Sequence, residues 1–556
     1  MALVDDIKNA LSHALKNTGV EIAPNEIPLE LVSDLQHGDY ATSVALAKAK
    51  DVGTSPRVLA EKIVAQLGSI PGIASIQIAG PGFINFALAP RAVASIIEEA
   101  RKSEDWGISK IRGGEVILME YTDPNPFKEF HIGHLMPNAI GESLSRLFSY
   151  TGATVLRANY QGDVGVHVAK SLYVQLKNNI TDPTIADLAA SYPEGSRLYE
   201  EDGDAKKEID ELNKTIYAKS DPAVNSLYEK GRKLSLDHFE ELYKILGTKF
   251  DYYFFESVTG PAGKEIVLAH PEVFEESEGA VVFKGERYGL HTRVFLNKLG
   301  LPTYEAKELG LAALKMQTTS FNFTMTITAQ EQADYFKVVS KAIELAMPET
   351  HGKIRYKTHG MMRFAEGKMS SRTGNVITGE SLLNDLIEEA KVRASESRAD
   401  DPDLLAQQVA VAAIKFQILR QGLGKDIIFD RTRALSLEGD SGPYLQYAHA
   451  RTCAILTKAK EADVQAAGDV DALPNTVARL VTRFPQVVAR SAEYLEPHLV
   501  TTYLIELAAA FNSWYAQEQI LDGTPSAAHK VAVVDAVRST LRRGLWVLGI
   551  PAPEKM

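Results

Sequence analysis

The amino-acid sequence predicts a multidomain α/β protein: a doubly wound sheet at the centre, an α+β domain ahead of it and an α-helical bundle behind it. Three observations carry this. The chain has 556 residues, more than one hydrophobic core accommodates, so roughly three or four domains are expected. Between Gly114 and about Thr378, strand-length apolar runs alternate with helix-patterned stretches, the order of a βαβ sheet. After Gly379, apolar residues recur almost wholly at helical spacing.

Residues 1–108 form the first module. A helical opening leads to His37-Gly38-Asp39-Tyr40-Ala41-Thr42 and then a helix from Val44 to Lys50. Alternation on both sides of Pro81-Gly82, ahead of Phe83-Ile84-Asn85-Phe86, predicts a β-hairpin. Residues 112–378 form the central unit. There Val116-Ile117-Leu118-Met119 is a continuous apolar run, a buried strand. Pro124 and Pro126 force Thr122 to Pro126 into an extended loop. A helix is expected from Leu135 through Arg146, and a second strand from Thr154 to Tyr160. An insertion between the halves of the sheet is expected over about 177–290, helical and charged as far as Asp251, as in Ala205 to Lys219. Residues 379–440 read as a helical stem, with apolar spacing through Leu382 to Ala390 and Leu404 to Leu419. Gly439 to Gly442 marks a boundary before the bundle of 441–556. No internal repeat or low-complexity tract is visible.

Composition sets outer limits. Hydrophobic content of 45% and charged content of 24% are those of a globular protein. No apolar stretch is long enough to span a bilayer, and the acids and amphipathic pattern of Met1 to Lys16 are unlike a secretory signal. The single cysteine, Cys453, excludes an intrachain disulfide framework and a cysteine-rich zinc site, so a reducing, cytoplasmic compartment is expected. A formal net charge of −12 leaves a nucleic-acid partner open, because phosphate contacts need local Lys and Arg that a sum conceals.

The most informative motif is His131-Ile132-Gly133-His134, paired with Lys368-Met369-Ser370-Ser371 far downstream. The two histidines stand where a parallel strand hands over to a helix N-terminus, a place suited to phosphate. Gly133 leaves backbone bare where a flat adenine can lie. Lys368 sits on a loop flanked by Gly367 and Gly374. In order, separation and context these motifs resemble the HIGH and KMSKS elements of class I aminoacyl-tRNA synthetases, which implies a Rossmann-like catalytic core. The resemblance implies ATP binding by His131, Gly133, His134, Lys368, Ser370 and Ser371. In-line attack of a carboxylate on the α-phosphorus needs no covalent enzyme intermediate, so catalysis rests on positioning and on stabilising negative charge.

Neighbouring residues narrow the resemblance to the arginyl-tRNA synthetases. Glu120-Tyr121-Thr122-Asp123-Pro124-Asn125-Pro126-Phe127-Lys128 is similar to that family's glutamate, Pro-Asn and lysine at the same offsets. Gln161-Gly162-Asp163-Val164-Gly165 resembles its GDWG segment, with Val164 in place of the aromatic. Tyr304 and Glu308 lie four apart, on one face of a helix, with Glu308 where the family commonly carries Asp. The resemblance implies an arginine pocket of Glu120, Asn125, Asp163, Tyr304, Glu308 and Gln332, with Gln330 an alternative register for the last. The residue types suit the task, since a planar guanidinium with five donors is best met by carboxylates and amide oxygens in a fixed fork. The full KMSKS pattern has a second lysine where this chain has Ser371. Lys128 is the expected replacement, a catalytic residue beside His131, His134 and Lys368.

The segment Gly442-Pro443-Tyr444-Leu445-Gln446-Tyr447-Ala448-His449-Ala450-Arg451 resembles the opening of that family's anticodon-binding domain, with Phe511-Asn512-Ser513-Trp514-Tyr515 and the closing Pro553-Glu554-Lys555-Met556 in keeping. Tyr444, Tyr447, Tyr515 and Met556 are therefore expected to contact tRNA, the tyrosines as stacking faces for unpaired bases, while Trp514 is expected in the core. HGDYAT and PGFINF resemble the N-terminal domain that touches the tRNA elbow. These resemblances imply L-arginine, ATP with Mg2+ and arginine tRNA as partners, no structural zinc, no membrane and a monomer. Three rivals are weaker. A cysteine-specific class I enzyme lacks its zinc-ligand cysteines here, a non-catalytic tRNA-binding relative conflicts with intact His131, His134 and Lys368, and a small-molecule nucleotidylyltransferase leaves the C-terminal bundle unexplained.

Overall fold

The computed structural model describes residues 2–365, 377–395, 397 and 399–556. The first module is a four-stranded antiparallel sheet with helices Ala2–Asn17, Pro56–Gln66 and Pro90–Lys102. The expected hairpin is Ile73–Ala79 against Phe83–Leu88. At its tip Gly82 has φ +142°, and a Cβ there would lie 2.8 Å from the backbone of Pro56, so glycine is required. The helix from Val44 ends at Lys48, short of the expected Lys50.

Asp39 joins this module to the C-terminal bundle. Its Oδ2 accepts from the Leu88 N–H at 2.8 Å, and its Oδ1 pairs with Arg479 at 2.8 Å. The same guanidinium donates to the carbonyls of Leu35 and Gly38. Removing it with Arg479→Ala strands a carboxylate that is 2% exposed. We expect a loss of about 3–5 kcal/mol in denaturant unfolding, with faster proteolysis of the N-terminal module. Unchanged stability and proteolysis would show that the latch contributes nothing.

Five parallel strands make the central sheet: β1 (Val116–Glu120), β2 (Thr154–Gln161), β3 (Tyr252–Phe255), β4 (Phe323–Ala329) and β5 (Ile354–His359). Their order is β5-β4-β1-β2-β3. Ile117, Leu118 and Met119 are wholly buried, as a continuous apolar strand covered on both faces must be. Strand order reverses between β1 and β4, and the crevice outside the carboxyl ends at such a point is where these folds bind ligands. The helix after β1, α1 (Ile132–Tyr150), is capped by His131 and extends beyond the expected Leu135 to Arg146 at both ends.

Between β2 and β3 lie α2 (Val166–Lys177), α3 (Ile185–Glu201), α4 (Gly203–Ala218) and α5 (Pro222–Leu246). The expected insertion of 177–290 therefore runs too far. Tyr252–Phe255 within it is the edge strand of the main sheet, paired with Ala158 to Gln161. Four aromatic residues after a charged helical stretch carry too little periodicity to announce a strand. Then come α6 (Glu256–Ala269), a three-stranded antiparallel sheet and α7 (Tyr304–Thr318). Backbones of α6 and α7 touch at glycines: a Cβ on Gly263 would sit 1.7 Å from the Ala306 carbonyl oxygen, and one on Gly310 2.0 Å from that of Thr259. That contact fixes the helix carrying Tyr304 and Glu308.

The stem comprises α8 (Gly379–Ala394) and α9 (Pro402–Leu419). It is not all helical, since Ile427–Phe429 pairs in parallel with Met362–Phe364. The C-terminal bundle contains α10 (Gly442–Glu461), α11 (His498–Gln517) and α12 (Ala527–Val547). Trp514 is half-buried rather than in the core, and its indole N–H donates to Glu518 at 2.6 Å.

Candidate active site

His131 caps α1, and the two histidines organise each other. The His131 backbone N–H donates to His134 Nδ1 at 3.1 Å, which makes Nδ1 an acceptor and leaves the proton of the neutral ring on Nε2. The rings stack with centroids 3.6 Å apart. Gly133 makes room for this: a Cβ there would lie 2.8 Å from His131 Cε1, so the glycine serves the histidine ring before any adenine. Burial, followed by His131 and Lys128, drives His134 well below the usual histidine range, and burial with Lys128 lowers His131 too. Both imidazoles are neutral N–H donors at neutral pH, at a helix start that already favours anions.

The loop from β1 to α1 is strained. Thr122, Asp123 and Phe127 all have positive φ, at 81°, 48° and 65°, which costs free energy in non-glycine residues. Surrounding bonds hold it there. Asp123 Oδ1 accepts from the Tyr160 N–H at 2.7 Å and Asn125 Oδ1 from the Gly162 N–H at 2.8 Å. The Phe127 N–H donates to Ser235 of α5 at 3.0 Å. A Cβ on Gly162 would stand 2.7 Å from Asn125 Oδ1, so the GDVG glycine admits that amide. The stem closes on the same region: His131 bridges to Thr378, and the Gly379 N–H donates to the Phe130 carbonyl at 2.8 Å. Lys368, Ser370 and Ser371 lie outside the described residues.

An acidic pocket lies at the reversal point of the sheet. Glu120 ends β1 and is 2% exposed. Its Oε2 pairs with Lys315 at 2.7 Å and its Oε1 accepts from Thr326 of β4 at 2.9 Å. Glu120 is thus already paired within the protein, by an ion pair at one oxygen and a hydrogen bond at the other. Asp123 and half-buried Glu308 share its field. Burial first, then the Glu120 charge, pushes both carboxyls far above the ordinary range. With one ammonium facing three carboxyl groups, the pocket is short of positive charge and the three do not all ionise until more arrives. Beside it, Lys307 is bonded to buried Glu256 and stands 5.0 Å from the Tyr304 ring.

Other expected residues are placed differently. Asp163 is wholly buried and fully engaged: Ser257 donates through N–H and hydroxyl at 2.8 and 2.7 Å, and Arg232 through Nε at 3.0 Å. It ties β2 to α5 and α6, and these bonds hold it away from the surface. Asn125 has one lone pair of Oδ1 left after Gly162. Tyr304 is 68% exposed, at the rim. Gln332 is exposed in the turn after β4, and its neighbour Gln330 accepts from Thr358 at 2.6 Å. Sequence reasoning missed Asp123, Lys315, Thr326, Glu256, Lys307 and His167, the last bonded to the Gly162 carbonyl at 2.8 Å. Lys315 had a signal, two turns beyond Glu308 on one helix face.

The bundle gathers Tyr444, Tyr447 and Tyr515 around Arg451. Its guanidinium lies 4.7 Å from the Tyr447 ring centre and 5.6 Å from that of Tyr515. Asn512 bridges Arg451 and the Tyr444 hydroxyl. Met556 is half-buried at the end of a tail that runs along α10, where His449 and Gln446 donate to the carbonyls of Pro553 and Pro551. A larger cavity of about 960 Å3 opens at the far end of α1, between Arg101, Arg146, Arg543 and Trp546. Two of its arginines are spent on structure: Arg146 holds Glu142 and the carbonyls of Trp546 and Gly247, and Arg543 holds that of Ser103. Among the described residues no group of three or more His, Cys, Asp or Glu is arranged to hold a metal ion, and no helix is long and apolar enough to cross a membrane.

Comparison with known proteins agrees with this fold. The catalytic domain of "tRNA synthetases class I (R)" matches residues 96–431, the "Arginyl tRNA synthetase N terminal domain" residues 5–88 and the "DALR anticodon binding domain" residues 445–556. The arginine–tRNA ligase of Clostridium perfringens (strain 13 / Type A) is 28% identical, covering 99% of this chain and 100% of its own. That of Halothermothrix orenii is 29% identical, with 95% of each chain covered. The solved arginyl-tRNA synthetase of Thermus thermophilus superposes with a TM-score of 0.83 at 25% identity over 99% of both chains. With the catalytic match alone spanning more than half of its residues, the chain belongs to the class I arginyl-tRNA synthetases and is an arginine–tRNA ligase.

Proposed function

We propose that this ligase works by charge matching at the β1/β4 crevice. The carrying observation is the juxtaposition of two neutral histidine donors at a helix start with a pocket deficient in positive charge. The guanidinium and α-ammonium of L-arginine supply the two positive charges that Glu120, Asp123 and Glu308 lack beyond Lys315. Glu308 meets the guanidinium, Tyr304 closes the rim, and Glu120 acts mainly through the field it sets with Lys315. The arginine carboxylate oxygen then attacks the α-phosphorus of ATP, and the bond to pyrophosphate breaks. His134 and His131 donate to the phosphate oxygens as charge develops there, Lys128 adds an ammonium, and Lys368 is the proposed cation of the downstream loop. The terminal ribose hydroxyl of arginine tRNA next takes the arginyl group, and AMP departs. Mg2+ is proposed to arrive with the ATP phosphates. A monomer acting in the cytoplasm is the proposed working form.

Charging total tRNA with each amino acid in turn tests the substrate. Arginine is expected to be accepted and lysine rejected, since a point-like ammonium does not span a planar fork. Equal charging with lysine would refute the pocket. On the bundle, Tyr447→Ala is expected to weaken tRNA binding by about 1–3 kcal/mol through a lost stacking face, with arginine and ATP binding unchanged. Unaltered tRNA affinity in a folded variant would place Tyr447 outside the RNA interface.

A further inference from the structure

The charged helices between β2 and β3 grip the β1–α1 loop at two neighbouring residues. Phe127 is seated against α5: it stacks on Tyr228 with centroids 5.9 Å apart, and a Cβ on Gly231 would meet its ring at 2.4 Å. The next residue, Lys128, reaches α3 instead, where its ammonium stands 4.9 Å from the ring centre of Tyr192. The backbone of α3 that carries Tyr192 is fixed in place. Three residues on, a Cβ on Gly195 would lie 2.2 Å from the Lys170 carbonyl oxygen, so α3 lies backbone to backbone on α2. An ammonium over an aromatic face gains electrostatic attraction without losing its charge, and a tyrosine ring has only two side-chain torsions to fix. Lys128 is half-buried, and its charge reaches His131, His134 and His167. A lysine chain is otherwise free to swing into solvent.

We propose that Tyr192 is a positioning residue for arginine activation: its ring face holds the Lys128 ammonium beside the His131–His134 pair, ready for the triphosphate. This gives the inserted helices a catalytic purpose, and it rests on the reading of Lys128 as a phosphate-side cation. Tyr192 touches neither reacting group in this account.

The test is ATP–pyrophosphate exchange, in the presence of arginine and tRNA, for Tyr192→Phe, Tyr192→Leu, Lys128→Ala and the Lys128→Ala/Tyr192→Leu double variant. Tyr192→Phe keeps the ring face and is expected to stay near the parent rate. Tyr192→Leu is expected to lower kcat about 3- to 30-fold, the range a cation–π contact supports, with the KM for arginine little changed. In the Lys128→Ala background the same substitution is expected to add nothing. Normal exchange by Lys128→Ala overturns the lysine reading and the inference with it. Slow Lys128→Ala beside unaffected Tyr192→Leu overturns only the inference, as does equal loss in Phe and Leu, or a further loss in the double variant. Should Tyr192→Leu fail to fold, Tyr192→Met replaces it, with thermal melting as the control.

Discussion

Glu308→Gln is expected to raise the KM for arginine roughly thirtyfold or more, while the KM for ATP stays close to that of the parent. The substitution keeps volume and removes the charge facing a buried guanidinium, a loss of roughly 2–5 kcal/mol in comparable truncated pairs. A pH dependence accompanies it. Burial and the nearby Glu120 push the Glu308 carboxyl to about 8 in the free enzyme, so below that pH it is largely protonated. Arginine binds the ionised form and must expel the proton. Affinity is therefore expected to climb about tenfold per pH unit from about pH 6 to about pH 8 and to level off above. The slope belongs to the coupled acids of the pocket, Asp123 included. In Glu308→Gln it is expected to flatten. A steep slope that survives the substitution, or an ATP defect with arginine untouched, would assign Glu308 elsewhere.

Lys128→Ala is expected to reduce the rate of arginine activation about 100-fold, as removal of a donor to developing charge does. The chain carries Ser371 where a second loop lysine is the common pattern, and the charge of Lys128 reaches both histidines. Arginine affinity is expected to change much less, since an ammonium does nothing to attract a guanidinium. A lysine introduced at Ser371 in that background is expected to restore part of the rate. Unaltered single-turnover activation would remove Lys128 from the mechanism.

Elements whose cause is local were legible in the sequence. Ile117 to Met119 reads as a buried strand because a parallel strand is covered on both faces, and His131-Ile132-Gly133-His134 marks a helix start by its place after two prolines. The hairpin at Gly82 follows from alternation about a turn. Function at the level of chemistry came from those motifs and their order. What stayed hidden depends on partners far apart in the chain. Nothing in Glu120 announces Lys315 and Thr326, some two hundred residues later. Nothing in Asp163 tells that Arg232 and Ser257 will consume it. The positive φ of Thr122 and Asp123 is imposed by bonds from Asn138 and Tyr160, against the local preference of those residues. Four aromatics at Tyr252–Phe255 became a strand only because Ala158 to Gln161 offered an edge.

The account's central claim is that two places in one crevice divide the work, acids taking the arginine cations and histidines the phosphate. A crystal structure with a non-hydrolysable arginyl-adenylate analogue tests it most directly. The predicted result has the guanidinium on Glu308, the phosphoryl isostere within hydrogen-bond distance of His134 Nε2, and Lys315 still on Glu120. A guanidinium bound away from Glu308, or a phosphoryl group out of reach of both His131 and His134, would contradict it.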